Sequence, residues 1–134
     1  MNDIGKAIYS ILSSASGVTN IVGTRIFPQK VPYGEQMPSI TYFVIDNTPN
    51  PTKNKYSTYD YTRVQVTAFG TSYSVAQDLA VEIRKSLDYT SGTFNGVKVD
   101  KCFFEDANDI FDDSFGENGI HMVALDFRFN INRV

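Results

Sequence analysis

With 134 residues, of which 42% are hydrophobic and 20% charged, the chain has the size and composition of one folded domain and not of a disordered segment. No apolar run approaches the roughly 20 residues that span a bilayer. The net charge of −3 offers no basic face of the kind that grips nucleic acid through its phosphates. Residues 1–15 carry one basic residue, Lys6, and are interrupted by Gly5 and Ser10, so they lack the pattern of a secretory signal. Synthesis and retention in the cytoplasm is the expectation.

The elements follow in chain order. Ile4, Ala7, Ile8, Ile11, Leu12 and Ala15 recur at the three- and four-residue spacing of one helix face, which predicts an amphipathic helix over about residues 3–16. Asn2 or Asp3 can cap its start and Gly17 can end it. Residues 21–38 are broken by Gly23, Pro28, Pro32, Gly34 and Pro38, and leave room only for a short strand around residues 25–27. Residues 39–46 (SITYFVID) read as a strand with both faces apolar. Residues 47–57 (NTPNPTKNKYS) read as a loop, too rich in proline and asparagine to pack.

From Tyr59 to Phe69 the alternation is clean. Thr62, Val64, Val66 and Ala68 take one face, while Tyr61, Arg63, Gln65 and Thr67 take the other. Gly70 ends this strand and Thr71 or Ser72 caps a second helix. Val75, Leu79, Ile83 and Leu87, with Ala76 and Ala80, form its apolar stripe to about Asp88. Asn95-Gly96 predicts a tight hairpin, because both central positions of such a turn need positive φ. A strand over residues 97–104 follows, with a bulge near residues 101–104 where its alternation slips. Residues 105–119 read as an acidic loop. The last strand, residues 120–133, places His121, Val123, Leu125, Phe127, Phe129 and Ile131 inward and Met122, Asp126, Arg128, Asn130 and Asn132 outward. The expected fold is α+β in one domain: an antiparallel sheet of about four to five strands with two helices packed on one face.

Residues suited to catalysis are scarce. His121 is the sole histidine and falls on the apolar face of a strand, so a structural role is expected. Cys102 is the sole cysteine and is expected to be a buried, inert thiol. A zinc set cannot be assembled from one of each. No nucleophile elbow, Walker sequence or dinucleotide fingerprint occurs. No metal or cofactor is expected, and the chain is read as a non-enzyme. Residues 105–117 (EDANDIFDDSFGE) hold six carboxylates and no base. They fail as a calcium loop, since counting from Asp106 the fifth and sixth positions are Ile110 and Phe111. Ile110, Phe111 and Phe115 are odd in a purely solvated loop and point to a surface that meets a partner. The candidate interface or lumen residues are therefore Glu105, Asp106, Asp109, Phe111, Asp112, Asp113 and Phe115, with Lys53, Lys55, Tyr59, Tyr61 and Arg63.

Three segments together resemble the phage tail-completion, or tail-terminator, family. An opening helix leads through Gly23, Arg25, Ile26, Phe27, Pro28, Pro32, Pro38 and Ile40 into the first long strand. Residues 64–88 (VQVTAFGTSYSVAQDLAVEIRKSLD) are similar to the family's middle strand and second helix, and residues 124–131 (ALDFRFNI) to its last strand. The resemblance implies a structural virion protein that forms a homo-oligomeric ring, a hexamer with a dodecamer as the alternative. Such a ring closes the head-proximal end of the tail, contacts the tail tube and the head connector, and lets DNA pass without specific binding. The loops at residues 47–57 and 105–119 depart from the family's short core. A neck or head-closure ring subunit is the nearest competing reading, and a small-molecule-binding α+β domain a more distant one.

Overall fold

The computed structural model describes residues 3–49, 58–113 and 119–133. Within them the order is α1 (Ile4–Ser14), α2 (Ser16–Val22), β1 (Ile26–Pro28), β2 (Ser39–Pro49), β3 (Tyr59–Gly70), α3 (Tyr73–Leu87), β4 (Gly92–Phe94), β5 (Val97–Asp112) and β6 (Ile120–Asn132). The strands form one sheet in the order β1-β2-β3-β6-β5-β4. Every pairing is antiparallel except β1 with β2, which is parallel.

Three of these findings correct the sequence reading. The helices among the described residues number three, because the chain breaks at Ala15, whose backbone is extended, and then resumes as α2. Gly17 does not end a helix. It lies inside α2 against the Glu82 side chain of α3, whose carboxylate a Cβ there would have to displace. Val18 and Val22, on the far side of the break, are fully buried. The sheet has six strands in place of four to five, because β1 and β4 are pieces of three residues each. Both segments read as loops begin as strand: β2 continues through Pro49, and β5 continues through Asp112. Asp3 stands at the N-cap of α1 without a capping hydrogen bond from its side chain, which pairs with Lys6 at 3.7 Å, whereas Ser72 Oγ accepts the Val75 N–H at 3.3 Å and caps α3 as expected.

One face of the sheet carries the core. Val64, Val66, Ala68, Leu125, Phe127, Phe129 and Ile131 pack with Ile8, Leu12, Leu79, Ile83 and Leu87 from the helices, and all are buried. Register places Val64 beside Phe127 and Val66 beside Leu125, so the period-2 pattern of both strands delivers its apolar set to the same side. At Asn95-Gly96 both φ angles are positive, 50° and 84°, as the tight β4–β5 turn requires. β5 shifts register between Val99 and Lys101 and again between Phe104 and Asp106, so two bulges bracket the segment where the alternation slips.

Candidate assembly surface

Lengths dictate what stays uncovered. A helix rises about 1.5 Å per residue and a strand about 3.3 Å. The 15 residues of α3 therefore span about 22 Å, while the 16 of β5 span about 53 Å. β5 therefore runs past α3, and its residues 105–111 are exposed throughout, although Val123, Ala124 and Leu125 beside them in β6 are buried. This exposed stretch of β5 tolerates carboxylates on either side of the strand.

On the helix side of this stretch, Gln77 Nε2 of α3 donates to Asp109 Oδ1 at 2.9 Å. Phe111 stacks obliquely on His121 at 4.8 Å between ring centroids, and Tyr73 meets the same imidazole edge-on at 6.2 Å. The lone histidine thus sits in an aromatic bracket at the rim of the core, half-buried.

Among the described residues, no helix lies over the opposite face of the sheet. Arg63 Nη1 lies 3.2 Å from Asp46 Oδ2, and Arg63 Nε lies 3.7 Å from Glu105 Oε1, so one guanidinium ties β2, β3 and β5 together across the sheet. Both pairs are substantially exposed, and each is worth little by itself. Gln65 Nε2 donates to Asp126 Oδ1 at 3.2 Å. The Arg128 guanidinium lies over the Phe103 ring, 5.0 Å from its centroid. Arg128 Nε and Asn130 Oδ1 are buried and have no hydrogen-bond partner among the described residues. At the end of the sheet, Asn132 Nδ2 donates to the Tyr59 hydroxyl at 3.5 Å. The Tyr59 ionisation is pushed up, first by its hydrogen bond to the Asp100 side chain and then by the charge of that carboxylate. At the other end, residues 29–37 lean over Phe69, Ile120 and Met122 and leave a cleft of about 660 Å³.

The structure therefore divides the candidate residues. Arg63 and Glu105 meet directly, and Tyr61 lies on the same uncovered face, along with Asp106, whose partner across the ladder is Asp126. Asp109 and Phe111 project from the helix side, Tyr59 belongs to the far end beside Asp100, and Asp112 and Asp113 close the described part of the hairpin. Lys53, Lys55 and Phe115 lie outside the described residues. Sequence reasoning put Arg128 and Asn130 on the outward face but did not single them out. What marks them is burial without a partner, which period-2 patterning cannot reveal.

No group of three or more His, Cys, Asp and Glu side chains that could hold a metal occurs among the described residues, and no helix there is long and apolar enough to cross a membrane. The Cys102 thiol is fully buried, and desolvation, followed by the Asp88 carboxylate, pushes its ionisation far above the ordinary thiol range. It is unsuited to act as a nucleophile.

The protein family described as "Tail completion protein gp17" matches residues 6–132. No curated protein sequence matches significantly. Among solved structures, a chain of the "Virion of native gene transfer agent (GTA) particle" superposes with a TM-score of 0.77 at 15% identity, covering 94% of this chain and 92% of that one.

Proposed function

Since the chain belongs to the tail completion protein family, we propose that it is a structural subunit of a virion that forms a ring at the head-proximal end of the tail. The ring ends the tail tube, joins it to the head connector and leaves a channel for DNA. The observation that carries this reading is a sheet whose described helices all pack on one face. The uncovered face presents Tyr61, Arg63, Phe103 and Arg128, and aromatic residues and arginine are the types enriched at protein interfaces. Its buried Arg128 Nε and Asn130 Oδ1 lack partners within the described chain, and an adjoining protein or ordered water would satisfy them. The similar chain comes from a structure titled as a virion, which suits the same setting.

The chain contributes shape, charge and contact, and the reading assigns it no catalytic step. Carboxylates of residues 105–113 face the channel or the subunit joint, where they repel phosphates and let DNA pass without adhering. Gold-labelled antibody against this chain, applied to intact particles, provides the test. Label at the head–tail junction alone is expected; label along the tube or over the capsid would contradict the assignment.

A further inference from the structure

The outer edge of β5 is covered along only part of its length. β4 lies beside residues 97–99. The Tyr89 N–H and the Thr90 carbonyl then bond Cys102 at 2.8 and 3.0 Å, and the Asp88 carboxylate accepts the Phe104 N–H at 3.0 Å. Cys102 and Phe104 thus turn their backbone groups away from β6. Past the bulge at residue 105, the β5–β6 ladder runs from Asp106 opposite Asp126 to Asp112 opposite Ile120 without a further shift. Antiparallel alternation in that regular stretch turns the backbone groups of Ala107, Asp109 and Phe111 outward as well. Among the described residues no strand lies beside them, and all three are exposed. The Ala107 N–H rests on the Asp106 carboxylate at 2.9 Å, an exposed local contact that an incoming carbonyl can replace.

A bare edge is ordinarily guarded by lysine, proline or a bulge. Residues 106–111 (DANDIF) hold none of these. Charge guards the edge instead. A second copy of it would set Glu105, Asp106 and Asp109 against the same carboxylates, and like charges across a strand pair destabilise it. The carboxylates that repel a copy attract a basic strand.

The described chain leaves these charges short of cations. Asp106 stands directly opposite Asp126, and β6 residues 120–126 (IHMVALD) include no lysine or arginine. Arg63 is shared between Asp46 and Glu105, and Asp126 accepts only from the Gln65 amide, at 3.2 Å, among the described residues. On the helix side, Tyr73, Gln77, Asp109, Phe111 and His121 line a cleft of about 280 Å³ beside the bare edge. It joins one carboxylate to the rings of Tyr73 and Phe111, surroundings that favour an ammonium or guanidinium group. A strand added to β5 points the side chain opposite Asp109 to this same side. Exposed Ile110 and Phe111 offer apolar surface to the rest of that strand.

We propose that residues 105–111 of β5 take up, as an added strand, an extended lysine- or arginine-bearing segment of an adjoining virion protein, with one basic side chain seated in the Asp109 cleft. This docking rests on the virion-subunit reading and gives one of its contacts a chemistry. It adds a strand to the joint without carrying the joint alone.

Peptide binding to the full chain tests it, with fluorescent probes that match the bare stretch in length. One probe alternates lysine with valine, and another has glutamate in place of lysine. A further probe is the lysine peptide methylated at every backbone nitrogen, which keeps its charge but removes its strand donors. The lysine peptide is expected to bind about tenfold more tightly than either control, the combined effect of several cross-strand pairs. Asp106→Asn removes one of two opposed carboxylates, and should weaken that binding while leaving the fold at least as stable to urea. Ala107→Pro takes away an outward N–H without touching the β6 ladder, and should weaken it too. Equal binding of the methylated peptide would reduce the site to a charged patch and overturn the added strand. No binding of the lysine peptide, at the highest concentration the chain tolerates, would overturn the docking. Oligomers of the purified chain that Ala107→Pro dissolves would put a second copy on the edge and overturn the foreign segment. None of these outcomes moves the gold label on intact particles, whose position tests the virion-subunit reading separately.

Discussion

Cys102 shows how one buried side chain sets a measurable property of the whole. It is enclosed among Val99, Phe129 and neighbouring apolar residues of the core. Its thiol ionises in the unfolded chain near its ordinary value of 9.0 but is held protonated in the fold, chiefly by desolvation. The folded state therefore binds the extra proton. This contribution is fully present below the unfolded value and is lost as pH rises above it, toward the raised folded value. The expected slope is at most about 1.4 kcal/mol per pH unit for one such group. Urea unfolding at pH 8, 9 and 10 should show the natural chain losing stability between pH 9 and 10. Cys102→Ala, although weaker throughout, should lose less over the same interval. Equal pH dependence in both would show that another group is responsible.

At the scale of single elements, the β3–α3 junction is the tightest corner. Gly70 ends β3 where a Cβ would stand 2.8 Å from the Ala76 nitrogen and 3.2 Å from the Ser72 oxygen. Both are backbone atoms, so neither can move aside cheaply. Gly70→Ala should cost about 1–3 kcal/mol by forcing the turn open, and Ser72→Ala about 1 kcal/mol by leaving the α3 start uncapped. Thermal or urea unfolding of the two variants ranks them; an unchanged midpoint for Gly70→Ala would mean that the turn has room the structure does not show.

The same corner explains why so much was legible. The apolar stripe of α1, the cap and stripe of α3, the alternation of β3 and β6 and the Asn95-Gly96 turn all answer to one burial pattern, and a sequence carries that pattern directly. What it hid follows from physics that patterning omits. β1 and β4 are too short to show a period. Residues 105–112 are strand because β6 pairs with them, yet 105–111 are exposed throughout and a bulge shifts the register at residue 105, so no alternation survives. Among the candidate residues, Arg63 and Glu105 meet because two strands bring them across the same face, a proximity no spacing along the chain discloses. Phe111, expected to meet a partner, is exposed and touches His121 of its own chain, and Asp109 accepts from its own Gln77.

At the scale of the molecule, the described helices cover one face of the sheet, and no described helix lies over the other. The carboxylate cluster at the exposed end of β5 adds a charge that a DNA channel can use. Replacing Asp109, Asp112 and Asp113 together by asparagine should leave the core and the fold intact, since none of these residues is among the buried set. Assembly with retarded DNA passage is the expected result, read as particles that form but eject slowly. Unchanged assembly and unchanged passage would remove any such role from these residues.

The most direct measurement is electron microscopy of the purified chain over a wide concentration range, alone and mixed with tail tubes that lack it. The account predicts closed rings with an open centre, seated on one end of each tube. A chain that stays monomeric alone, and leaves the tube ends bare when mixed with them, would contradict it.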